Sequence, residues 1–141
     1  MSLASMHRAL VVDDFESMRI IIRNILLQMG FDEADMVPDG ERALRTLGGG
    51  DYDLLVTDWS MPGMDGIELV RAVRADPRLA GLPVLMVTAE AGRERVLRAI
   101  EAGVDEYLVK PFTQQALRAK VERLRVRLQS GHASPARTSD D

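Results

Sequence analysis

The chain has 141 residues, with 18 basic and 22 acidic side chains, two histidines and no cysteine, for a net charge of −4. That length is one domain's worth, since domains most often run ~100–150 residues, and it can bury a core without disulfides or a structural metal. The composition excludes a disulfide scaffold, a cysteine zinc site and thiol catalysis; His7 and His132 lie near the two ends and leave no histidine chemistry for the core; and the acidic balance argues against nucleic acid as a partner.

The first residues, 1–7, lack the charged-then-apolar layout of a signal peptide and are expected to be a flexible N-terminus. Residues 9–12 (ALVV) are a first strand. Met18, Ile21, Ile22, Ile25, Leu26 and Met29 follow at helical spacing, and Gly30 stops that helix. A short second strand covers 35–37, where Pro38 suits a sheet edge. A helix over 41–47 closes at three glycines. Residues 54–57 (LLVT) are a third strand, 67–75 a helix that ends before Pro77, and 84–87 (VLMV) a fourth strand. Val96, Leu97 and Ile100 mark a helix that stops near Gly103. Residues 107–109 are a fifth strand, and Leu117, Val121, Leu124 and Leu128 mark the last helix. Residues 129–141 are small and polar, without apolar periodicity, and read as a disordered tail. The domain is therefore expected over 8–128. No apolar run approaches the ~18 residues of a membrane span, so a cytoplasmic protein is expected, with no membrane partner.

Five repetitions of strand then helix, with near-continuously apolar strands, predict a doubly wound α/β fold around a five-stranded parallel sheet. The common order for five strands is 2-1-3-4-5, which puts the weak strand before Pro38 at an edge. Ligands in such sheets bind at the carboxyl ends of the strands. There the first strand ends in Asp13-Asp14, the third in Asp58, the fourth in Thr88 and the fifth in Lys110, so these groups converge on one rim. Three carboxylates in one cleft repel each other and raise a pKa, and a hard divalent cation such as Mg²⁺ relieves this with oxygen ligands. Lysine occurs only twice against sixteen arginines, and Lys110 supplies a point charge on a flexible stem. Acids, a cation, a lysine and a hydroxyl form a site for a phosphoryl group, whose transfer depends on positioning and charge neutralisation. A carboxylate can itself be the nucleophile, and Asp58, in mid-rim, is the candidate.

The strings VVDDF, DWSMPGMDG, VTAEA and YLVKPF resemble the receiver domains of two-component signalling, most closely the single-domain chemotaxis regulators of the CheY type, over essentially all of residues 8–128. The resemblance implies that Asp58 accepts phosphate from the phosphohistidine of a histidine kinase. It implies that Asp13, Asp14, Asp58 and the backbone carbonyl of Ser60 hold Mg²⁺, that Thr88 and Lys110 contact the phosphoryl group, and that Ala89 leaves room for it. Tyr107 matches an aromatic switch position coupled to Thr88. Lys110-Pro111 matches a bond that is usually cis. Ser60 stands where this group often has asparagine; with Glu90 it flanks the path of the hydrolytic water and sets the phosphoryl lifetime.

Each residue also has a plainer reading. Asp13-Asp14 could cap the first helix, Tyr107 could be strand packing, and Trp59 is expected as a partly exposed ring beside the site. Met18 and Met29 fit core spacing, and Met61 and Met64 fit loop packing. The cations of the last helix, Arg118, Lys120, Arg123, Arg125 and Arg127, could be a solvated face; the resemblance instead makes the fourth helix, fifth strand and fifth helix an output face. Only thirteen residues follow Leu128, so the output is expected to be non-covalent binding by a monomer, with a flagellar motor switch protein as the target. The alternative is a phosphorelay intermediate or phosphate sink that passes phosphate to a histidine phosphotransfer protein. An enzyme is not expected beyond self-catalysed phosphotransfer and autodephosphorylation. An aspartyl-nucleophile phosphatase would want an acid two residues after its nucleophile, but Asp13 is followed by Asp14-Phe15. A flavodoxin-like cofactor binder would want a small-residue phosphate loop where the chain has Asp-Asp-Phe-Glu.

Overall fold

The computed structural model describes residues 6–130. Five strands alternate with five helices: β1 (Arg8–Val12), α1 (Glu16–Gln28), β2 (Glu33–Val37), α2 (Gly40–Gly48), β3 (Leu54–Thr57), α3 (Gly66–Ala75), β4 (Val84–Thr88), α4 (Arg93–Ala102), β5 (Glu106–Val109) and α5 (Gln114–Ser130). The strands form one parallel sheet in the order β2-β1-β3-β4-β5. The predicted fold class and strand order are those observed.

Alternation along the strands sorts the core into two layers. Leu10, Val12, Leu55, Val84 and Met86 face α2, α3 and α4 through Ala43, Leu47, Ile67, Val70, Val73 and Ala99. Ala9, Val11, Leu54, Val56, Leu85 and Val87 face α1 and α5 through Ile22, Ile25, Leu26, Leu117, Val121 and Leu124. Every residue of β3 and β4 is buried, as the unbroken apolar runs required, whereas β2 is only partly covered, as an edge is. Helix starts are set locally. Asp39 accepts from the Arg42 amide at α2, and Asp65 forms a capping box with Glu68 at α3. Helix α4 ends on Gly103, whose φ of 112° is left-handed.

Three expectations are corrected. Order starts before residue 8, because the Met6 side chain is buried in the α1/α5 layer and the His7 amide donates to Asp53 Oδ2 at 2.8 Å; residues 1–5 of the expected flexible segment lie outside the described residues. Helix α5 runs two residues past Leu128, to Ser130, so the expected tail at 129–141 begins inside a helix; residues 131–141 also lie outside the described residues. Trp59 is buried at 5% exposure, because α4 lays the guanidinium groups of Arg95 and Arg98 over its ring, each 5.3 Å from a ring centroid. The Lys110-Pro111 bond is cis.

Candidate functional site

The carboxyl ends of β1, β3, β4 and β5 bring Asp13, Asp14, Asp58, Thr88 and Lys110 to one rim. Asp13 and Asp58 are buried and Asp14 is exposed, and carboxylate oxygens of all three lie within 4.8 Å of one another. Lys110 Nζ sits between the two buried acids, 2.8 Å from Asp13 Oδ2 and 3.1 Å from Asp58 Oδ2. The other Asp58 oxygen, Oδ1, accepts the Trp59 amide at 2.6 Å. An open cleft of about 560 Å³ is lined by Asp14, Asp58, Ser60, Thr88, Glu90 and Lys110, with Phe15 and Met18 on its α1 side.

Backbone packing fixes the loop that follows Asp58. The Gly66 amide donates to the Trp59 carbonyl at 2.8 Å, and a Cβ at Gly66 would stand 2.1 Å from the Asp58 carbonyl oxygen. Glycine is required here because α3 starts against the backbone of Asp58 itself. At the other acidic corner the capping reading fails. The N-cap of α1 is Phe15, which makes no side-chain cap bond. Asp13 Oδ1 instead accepts the Phe15 amide at 3.0 Å, while Arg19 donates to the Asp13 carbonyl at 2.7 Å.

The electrostatics are those of a site short of positive charge. Burial holds the Asp13 carboxyl above the usual carboxylate range; the Lys110 ammonium and the Phe15 amide pull against that shift, and Asp58 adds to it. Burial alone would lower Lys110, but its bonds and attraction to Asp13 and Asp58 outweigh burial and raise it. Three clustered carboxylates against one ammonium fit a hard cation, with oxygen donors throughout. Asp14 gives the cluster a side open to solvent, as a cation that keeps several waters needs.

Glu90, in the loop after β4, ties the rim together. Its amide donates to Thr88 Oγ1 at 3.3 Å, and its carbonyl accepts the Tyr107 hydroxyl at 2.7 Å. Its carboxylate accepts from Ser60 Oγ at 3.0 Å and pairs with Arg95 Nε at 3.5 Å. Tyr107 is half-buried, and its phenol is pushed up to about 12, first by burial and then by the Glu90 charge. Of the residues predicted from the sequence, Asp14, Asp58, Ser60, Thr88, Glu90 and Lys110 line this cleft; Asp13 is buried behind it on Lys110, and Tyr107 lines a second cleft between α4 and α5 while reaching Glu90. Arg19, Arg95 and the arginine cover of Trp59 were missed, since nothing marks these three among sixteen arginines.

The model of the response regulator receiver domain matches residues 9–122. The chain is 56% identical over 117 residues to the chemotaxis protein CheY of Pseudomonas aeruginosa, covering 83% of this chain and 94% of that protein. It is 50% identical over 121 residues to CheY-3 of Vibrio cholerae serotype O1, covering 86% of this chain and 93% of that protein. Among solved structures, the chemotaxis response regulator CheY4 of Vibrio cholerae superposes with a TM-score of 0.79 at 32% identity, over 85% of this chain and 99% of that one. The fold and the acidic rim define a receiver, a class of phosphorylation-driven switch. The chain belongs to the response regulator receiver family, and its similar relatives are chemotaxis proteins. Among the described residues no helix is long and apolar enough to cross a membrane.

Proposed function

We propose that this chain acts in chemotaxis as a cytoplasmic, monomeric response regulator that takes a phosphoryl group on Asp58 from a histidine kinase and thereby changes its affinity for a flagellar motor switch protein. The clustering of three carboxylates at the carboxyl ends of the strands, two of them on one lysine, carries this reading. An Asp58 carboxylate oxygen attacks phosphorus, the P–N bond to the donor imidazole breaks, and an acyl phosphate forms. Lys110 Nζ is already within 3.1 Å of Asp58 and supplies charge to the incoming phosphoryl oxygens. The Thr88 hydroxyl turns its proton to one of them. Asp13, Asp14, Asp58 and the Ser60 carbonyl would hold Mg²⁺, which when bound neutralises charge on the phosphoryl oxygens.

Output runs through Glu90, whose amide is on Thr88 and whose carbonyl is on Tyr107. A Thr88 hydroxyl drawn to a phosphoryl group releases that amide and loosens the Tyr107 bond, biasing an existing two-state equilibrium. The face that reads Tyr107 lies between α4, β5 and α5, where a cleft of about 470 Å³ joins apolar Val96, Ile100 and Val109 to basic Lys120 and Arg123.

Acetyl phosphate with and without Mg²⁺ tests the reading, followed by intact mass and by fluorescence of Trp59, the single tryptophan. One phosphoryl group is expected, dependent on Mg²⁺ and lost in Asp58→Asn. An adduct that survives Asp58→Asn, or none in the unaltered protein, overturns it.

A further inference from the structure

Any water that hydrolyses a phosphoryl group on Asp58 must come through the cleft lined by Ser60 and Glu90. These two side chains belong to different loops, the β3–α3 loop and the β4–α4 loop, and they are joined: Ser60 Oγ donates to Glu90 Oε2 at 3.0 Å. The second carboxylate oxygen, Oε1, faces Arg95 Nε at 3.5 Å. Arg95 is itself anchored, since its guanidinium lies 5.3 Å from the Trp59 ring, the residue next to Asp58. Ser60, Glu90 and Arg95 thus form a strap from the acceptor loop across the cleft to α4.

We infer that Arg95 is a positioning residue that sets the phosphoryl lifetime by pinning Glu90 on Ser60. The inference rests on the phosphorylation of Asp58 proposed above. In the hydrolytic step water oxygen attacks phosphorus, the bond from phosphorus to the Asp58 oxygen breaks, the carboxylate is restored, and inorganic phosphate leaves with the water's proton released to solvent. Arg95 touches none of these atoms. It restrains the carboxylate that narrows the water's approach, and it links that restraint to α4, so that whatever moves α4 also alters the lifetime. The pair is part-exposed, with the Arg95 side chain at 45% and that of Glu90 at 33%, which limits its effect to about a two- to fivefold change. Arg98 is the internal control, because it covers the same Trp59 ring at 5.3 Å and makes no ion pair with Glu90.

The test loads the full chain with acetyl phosphate and Mg²⁺, removes the donor, and follows decay of the adduct by intact mass. Arg95→Met is expected to shorten the lifetime about two- to fivefold, and Arg98→Met to leave it unchanged. In a Glu90→Gln background Arg95→Met should add nothing. In about 1 M salt, where charges are screened beyond ~3 Å, the lifetimes of the unaltered protein and Arg95→Met should converge. Equal lifetimes in low salt, an effect that persists in Glu90→Gln, or an equal effect from Arg98→Met would overturn the inference while leaving Asp58 as the acceptor. No adduct on the unaltered protein would overturn the Asp58 reading and this inference with it.

Discussion

Asp13 and Lys110 show what the site costs the fold. Burial holds the Asp13 carboxyl above its ordinary value of 3.8, so the folded protein binds this proton more tightly than the unfolded chain does. The associated stability is fully present below pH 3.8 and is lost as pH rises through the raised folded value. Asp13→Asn, which removes the buried charge, is therefore expected to melt higher than the unaltered protein at pH 7, with the gain shrinking towards pH 4; a lower melting point at pH 7 would show that the Lys110 bond outweighs burial. Mg²⁺ should favour the unaltered protein over Asp13→Asn. At a hundredfold excess over its Kd a ligand adds about 2.7 kcal/mol, so calorimetry should show the unaltered protein rising with Mg²⁺ and Asp13→Asn scarcely moving.

At the scale of elements, the acceptor loop and the β5–α5 contact are where single changes should cost most. A side chain at Gly66 meets the Asp58 backbone, and no flexible atom there can give way. Gly66→Ala should lose about 1–3 kcal/mol in urea unfolding and lower phosphoryl uptake by moving Asp58. Glu106, on β5, is buried at 5% side-chain exposure and faces Lys120, Arg123 and Arg127 of α5. Glu106→Gln leaves these cations without their shared acid and should cost about 1–3 kcal/mol, while phosphorylation persists. This contact also shows why part of the structure was illegible from sequence. Periodicity located α5 from Leu117, Val121 and Leu124, yet it could not tell a solvated basic face from one folded onto a buried glutamate, because that depends on register between elements far apart in the chain. The rim was legible for the opposite reason: strand ends follow from local apolar runs, and parallel topology alone carries Asp13, Asp58, Thr88 and Lys110 to the same edge. Trp59 was misplaced because its cover comes from α4, more than thirty positions along.

Across the whole molecule the two tyrosines provide a global readout. Tyr52, at the far end of the sheet, donates to Asp35 at 2.6 Å and lies under Arg8. Like Tyr107 it is pushed up to about 12, first by burial. Since these are the only tyrosines, the folded protein should show almost no phenolate absorbance at pH 10, where the unfolded chain is half ionised. Both shifts make stability fall as pH rises from 10 towards 12, because the folded state keeps protons that the unfolded chain has released. Half-ionised tyrosine at pH 10 in folded protein would contradict both environments.

The bond between Lys110 and Asp13 joins residues 97 positions apart, and β1, β3, β4 and β5 must all be in register before the rim exists. A chain whose β5 has not yet paired with β4 has Asp58 but no lysine beside it, so the rim is whole only once β5 has docked.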